Sequence, residues 1–385
     1  MFRQRYAEIT RKRWYDVFFL FLISLISGIV WGYATIDLWF QAIVYLIPGI
    51  FLLLLSVYFL TNELTHRHRQ AFVTAAAFGS MLGSFSMTIT FFELWGYALL
   101  AASSYYSLRA LRRYGAQWKD MTAASALLAG SLLTGGIWPL YNFALPFIIV
   151  GIIAIRPIMR YKKWSIPAAT LLTIVLVAIP FVLNPELLPP VLQAELCGWA
   201  KIGNYNETGP AVKWLYLLGW LCCASVWLPL GLVSVGYSLR SQRIHGDLAG
   251  QIGAWWFILA GVLIMLRPNL DPCNCIALLI PFSFCIGAYT NLLSLPKKLV
   301  RNDRRVYRST LAVTAISYAI IDVAFLCVGF SYMTSYIYAG ITLFIVVAMV
   351  FLILYKYRKQ KLSVRLTETG FIVLALLLAA SHCFQ

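Results

Sequence analysis

Long apolar runs alternate with short polar segments along the chain. Runs such as 18–29 and 341–354 carry no charge and do not switch between polar and apolar residues, so they read as helices rather than barrel strands. A helix needs roughly 20 apolar residues to cross about 30 Å of hydrocarbon. The pattern predicts thirteen spans, near 16–35, 41–60, 71–91, 94–108, 121–138, 140–157, 165–183, 214–238, 249–267, 272–294, 309–330, 335–355 and 366–384. The last has the shortest apolar core, 371–380, and the count is twelve if it does not cross. The expected fold is all-α: a polytopic transmembrane helix bundle forming a single integral membrane domain over 1–385. No small-residue cleavage site follows the first run, so that helix is expected to serve as both signal and anchor.

The polar segments differ in charge in a regular way. Seven basic clusters fall in every second connection: around Arg3–Arg13 in number order 3–13, then 67–69, 109–119, 156–163, 240–243, 297–308 and 356–365. Together they hold 28 of the 31 Lys and Arg, leaving Lys201, Lys213 and Arg267 for the other side. Lys and Arg in short loops mark the cytoplasmic face, so the positive-inside pattern predicts a cytoplasmic N-terminus. The opposite connections are tight turns, apart from one long outer (periplasmic) loop at 184–213 with Pro185, Pro189 and Pro190.

Composition agrees with a membrane solvent. Hydrophobic residues make up 61% of the 385 and charged residues 12%, where soluble domains carry about 25%; the mean hydropathy is +0.79. The net charge of +17 is accounted for by insertion topology and anionic headgroups, and nucleic acid is not an expected partner. Membrane lipids are.

The acids are the more informative charges. Asp37, Glu93, Glu186, Glu195, Glu207 and Asp271 are all expected on the outer face. Asp37 directly follows the first span, in Ala34-Thr35-Ile36-Asp37-Leu38-Trp39. Membrane glycosyltransferases of the polyprenyl-phosphate-sugar type keep a carboxylate base in their first outer loop, which takes the proton of an acceptor hydroxyl; their loop is longer than this one. A solvated turn aspartate is the plainer account of Asp37. Glu93, in Phe91-Phe92-Glu93-Leu94-Trp95, is expected in an outer turn with few polar neighbours, either facing a cavity near Asp37 or reaching the interface. Arg267 opens the polar turn 267–275 and suits bidentate capture of a lipid phosphate, or pairing with Asp271. Asp322 is the one acid expected deep within a span, as a coupling charge or as a buried acid bonded to Ser317 or Tyr318.

Cys222, Cys223, Cys285 and Cys327 are expected to behave as small apolar residues; near the outer face, in an oxidising compartment, Cys197 could bridge to Cys273 or to Cys275. His66 and His68, each flanked by arginine, read as a solvated loop rather than metal ligands. No metal site and no cofactor are expected: there is no Walker loop, Gly-rich fingerprint or helix-borne metal motif.

Two stretches carry a resemblance. One is 94–113 with Asp120, Ile137-Trp138-Pro139-Leu140-Tyr141-Asn142-Phe143-Ala144-Leu145-Pro146 and Arg156; the other is 242–293, including Leu266-Arg267-Pro268-Asn269 and Ile280-Pro281-Phe282-Ser283-Phe284. Together, over about half the chain, they resemble an uncharacterised family of multipass inner-membrane proteins from Gram-negative bacteria. The resemblance implies the inner (cytoplasmic) membrane of a bacterium and a periplasmic outer face; the family supplies no catalytic residues.

Three functions follow as alternatives. The first is a cell-envelope enzyme transferring a polyprenyl-phosphate-linked glycan at the periplasmic face, with Asp37 as base, Glu93 as helper, Arg267 as phosphate anchor, and Trp199 and Tyr205 covering the acceptor sugar. The second is a transporter or flippase with Asp322 in the pathway. The third is a non-catalytic membrane component of a larger assembly, whose protein partners the sequence does not identify.

Overall fold

The structure, a computed structural model, describes residues 14–28, 46–82, 91–112, 117–136, 139–155, 165–184, 227–240, 248–266 and 274–293. Every element among them is helical. In chain order these are α1 (Trp14–Gly28), α2 (Ile47–Thr65), α3 (His68–Leu82), α4 (Phe91–Arg112), α5 (Gln117–Gly135), a π turn (Leu140–Ala144) leading into α6 (Leu145–Ile155), α7 (Ser165–Leu183), α8 (Leu228–Arg240), α9 (Leu248–Leu266) and α10 (Asn274–Leu293). α2 and α9 are long and apolar enough to cross a membrane, and α1, α7, α8 and α10 contain shorter apolar stretches.

The expected spans 165–183, 249–267 and 272–294 lie within two residues of α7, α9 and α10. The main differences are at charged ends. α2 continues through Glu63, and α5 starts at Gln117, ahead of Asp120. Hydropathy windows stop at a charge, whereas a helix stops where its backbone bonds stop. Glu93, expected in a turn, lies in the first turn of α4, and Phe91 belongs to that helix rather than to the end of the preceding one. The expected spans at 309–330, 335–355 and 366–384, and the long loop after Asn184, lie outside the described residues.

α2 packs between α3 and α4, and α10 packs on α3 with α8 and α9 beside it; α7 covers α5. α1 crosses α2 and α3, where Ile23 and Leu54 meet Gly79 and Phe21 stacks edge-on against Phe51. The core runs through Leu53, Leu54, Phe78, Tyr97, Trp256 and Phe282, all essentially without solvent contact. Large apolar side chains also cover the outside, among them Phe18, Leu171, Ile174 and Val182. In water such a surface would bind or aggregate; in a bilayer it faces lipid.

Apolar lipid gives helices little reason to associate, so polar bonds and small residues do that work. The α4–α5 hairpin shows how. Ser131 donates to the Gly96 carbonyl at 2.8 Å, Ser103 to the Ala124 carbonyl at 2.7 Å, and Arg109 Nε lies 3.1 Å from Asp120 Oδ2. These three contacts, evenly spaced, fix one antiparallel register. At one end the backbones touch: a Cβ on Gly96 would fall 2.8 Å from the Cα of Gly135. Elsewhere, Ser125 bonds the Ala169 carbonyl of α7 at 3.0 Å, and Trp227 bonds Ser80 of α3 at 2.8 Å.

Candidate functional site

Of the residues singled out in the sequence, Asp37, Arg267 and Asp322 lie outside the described residues, and only the backbone of Glu93 is described. The helix ends next to three of them are described, and they are neighbours. Gly28, the last residue of α1, sits against Ile47, the first of α2, so the ends of the 29–45 segment that carries Asp37 lie together. Two residues on, Gly49 packs on Leu94 and Trp95 of α4; a Cβ there would lie 3.1 Å from Trp95 Nε1. Leu94 directly follows Glu93. Gly96 in turn meets Gly135 and Pro139, the residue before the π turn. From that turn, the Tyr141 hydroxyl donates to the Leu263 carbonyl at 3.5 Å, in the last turn of α9, four residues before Arg267. Small residues bring these ends close, and the π turn re-aims Tyr141 toward α9. Such turns recur at functional sites.

The opposite end of the bundle holds a polar belt. The Tyr58 hydroxyl donates to Asp16 Oδ2 at 3.2 Å and lies 3.4 Å from His68 Nδ1, tying α1, α2 and α3. His68 is thus half-buried in helix rather than part of a solvated loop. His66 is the left-handed cap of α2, with φ 55°, and its N–H bonds the Asn62 carbonyl. Arg112 reaches from α4 to donate to the Glu63 carbonyl, and its Nη2 lies 3.3 Å from His66 Nε2. Arg109 adds a contact to the Tyr105 hydroxyl at 3.4 Å besides its ion pair with buried Asp120. That pair acts by charge alone, since neither atom completes a hydrogen bond there.

The belt uses acids that sequence reasoning passed over. Glu63 and Asp120 fell just beyond predicted spans, and Asp16 at the start of one. A signal was available: Arg109 and Asp120 flank the predicted turn between two spans, the spacing of an ion pair that closes a helical hairpin. Cys285 is a buried thiol, as expected for a cysteine within a span, and its Sγ lies 3.8 Å from the Gly250 carbonyl. Among the described residues no group of acids, histidines and cysteines is arranged to hold a metal ion.

No protein-family model matches the sequence, and comparison with curated proteins gives no match. Solved structures do match. Crystal structures of ArnT from Cupriavidus metallidurans, bound to undecaprenyl phosphate and in the apo state, superpose with TM-scores of 0.56 and 0.54 at 14% sequence identity. The match covers 94% of this chain but 63% and 62% of ArnT, so the chain spans less than two thirds of the ArnT length. At this identity the likeness shows the fold alone: the chain, helical throughout its described residues, shares the integral membrane fold of the matched part of ArnT.

Proposed function

We propose that this protein is a lipid-linked glycan transferase of the bacterial inner membrane, acting at the periplasmic face on a polyprenyl-phosphate-linked substrate. One observation carries the reading: nearly the whole chain follows the fold of a protein crystallised with undecaprenyl phosphate. The meeting of the helix ends beside Asp37, Glu93 and Arg267 supports it.

In this reaction the acceptor hydroxyl attacks the anomeric carbon of the lipid-linked sugar. Asp37 takes the hydroxyl proton, a new glycosidic C–O bond forms, and the bond from the anomeric carbon to the phosphate oxygen breaks. Polyprenyl phosphate leaves with the bonding pair. Arg267 holds the phosphate in a bidentate grip and balances its growing charge. Glu93, at the start of α4, orients the acceptor. The apolar outer surface of the bundle is a suitable bed for the polyprenyl tail.

A general base contributes about 10²–10⁴-fold to rate. Asp37→Asn, expressed at the wild-type level, is therefore expected to cut transfer from polyprenyl-phosphate-linked sugar to acceptor by that factor. Full activity in this variant would remove Asp37 as base. No release of polyprenyl phosphate by the wild type, across a panel of lipid-linked sugars, would remove the reaction.

A further inference from the structure

We infer that the seam between α2 and α4, at the basic end of the bundle, binds one anionic phospholipid. The two helices run in the same direction, and each carries an aromatic residue seven positions before a nitrogen-bearing side chain at its end. On α2 these are Phe59 and His66; on α4 they are Tyr105 and Arg112. Seven residues are close to two full turns, so Tyr105 and Arg112 share a face of α4, while His66 is the left-handed cap that ends α2. The rungs also meet across the seam: the Phe59 and Tyr105 rings are 5.6 Å apart, and Arg112 Nη2 is 3.3 Å from His66 Nε2. The result is an aromatic pair beside a guanidinium that rests on an imidazole, opening at the surface, where Phe59 is 38% exposed.

The charge balance points outward. Glu63 and Asp120 are buried and Asp16 is half-buried, while His66, Arg67 and Lys119 are exposed. Among the described residues the acids of this end thus face the protein, while Arg67 and Lys119 face out. The turn's own backbone donors are already used, His66 N–H on Asn62 and Arg67 N–H on Thr65 Oγ1. An anion here must be held by side chains, and guanidinium groups suit phosphate. Exposed Trp14 and Trp118 on the neighbouring helices, 70% and 55% exposed, suit the level where a headgroup meets hydrocarbon. A headgroup phosphate beside Arg67, His66 and Arg112 would lay its acyl chain over Phe59 and Tyr105. A soluble phosphate would use only the cations. The seam is at the opposite end from Gly28 and Ile47, so this inference is independent of the transferase reading.

The full-length protein in phosphatidylcholine nanodiscs, without and with phosphatidylglycerol, tests it. Native mass spectrometry is expected to retain a stoichiometric phosphatidylglycerol, and thermal unfolding is expected to shift upward with that lipid. Arg67→Glu, at an exposed side chain, is expected to weaken retention about tenfold to a hundredfold, the effect of losing a charge-assisted bond. Phe59→Ala is expected to weaken phospholipid retention while leaving any effect of soluble glycerophosphate unchanged. Equal behaviour in the two bilayers, or full retention by Arg67→Glu, would overturn the inference. An equal shift from glycerophosphate alone would overturn the lipid as occupant and assign the cations to a soluble phosphate.

Discussion

Three acids at the basic end, Asp16, Glu63 and Asp120, are withdrawn from water among arginines and tyrosines. Such a carboxylate is tolerated when a partner offsets its desolvation, and removing the partner's counter-charge costs more than the pair itself contributes. Arg109 is 30% exposed on its side chain, so solvent screens part of the loss. Asp120→Asn is therefore expected to destabilise the protein by about 1–3 kcal/mol, read as a lower midpoint of thermal unfolding in detergent. A midpoint equal to wild type would show the pair to be energetically idle. His66 makes a second residue-scale case. It holds φ 55° with a side chain, a conformation that costs L-residues about 1–2 kcal/mol and glycine almost nothing. His66→Gly is expected to keep or raise the unfolding midpoint, and His66→Val to lower it. The sequence showed the arginines of this end plainly. It did not show the bonds, because the partners, such as Glu63 and Arg112, are far apart in the chain and meet only when α2 and α4 pack.

At the scale of elements, the α4–α5 hairpin is the clearest case of a register set by small and polar residues. Gly96 and Gly135 meet backbone to backbone, so no rotamer relieves an added side chain. Gly96→Val is expected to cost about 1–3 kcal/mol, the range for overpacking. Ser131→Ala loses one interhelical bond, worth about 0.6 kcal/mol in membranes. Thermal unfolding of both variants under one set of conditions checks the order, and a larger loss for Ser131→Ala would contradict it. Helix existence was readable from apolar run length, as α7, α9 and α10 show. Helix ends were less readable where a charge sits inside the last turn, as at Glu63, or the first, as at Asp120. The π turn after Pro139 was not foreseen at all, since one extra residue per turn leaves no mark on hydrophobic periodicity.

At the scale of the whole molecule, the helical class and the segregation of cations were legible because a bilayer imposes both on the sequence. The described contacts agree in part. The ends near 16, 66 and 112–120 gather on one side, and those near 28, 47, 94 and 139 on the other. Cysteines placed at Arg67 and Lys119 are expected to react with impermeant maleimide only from the cytoplasm, and labelling from the periplasm would reverse the topology. Function was less legible. A single aspartate after a first span is a common turn residue, and nothing in its neighbours marks it as a base. The likeness to ArnT adds what the sequence lacked, the fold of a protein that was itself crystallised with undecaprenyl phosphate.

The most direct test of the transferase account is titration of undecaprenyl phosphate into the purified wild-type protein and its Arg267→Ala variant in nanodiscs, followed by direct binding. The account predicts saturable binding by the wild type and a loss of about tenfold or more in affinity for Arg267→Ala, as expected for one charge-assisted phosphate contact. Wild-type binding no stronger than that of an uncharged polyprenol would contradict it.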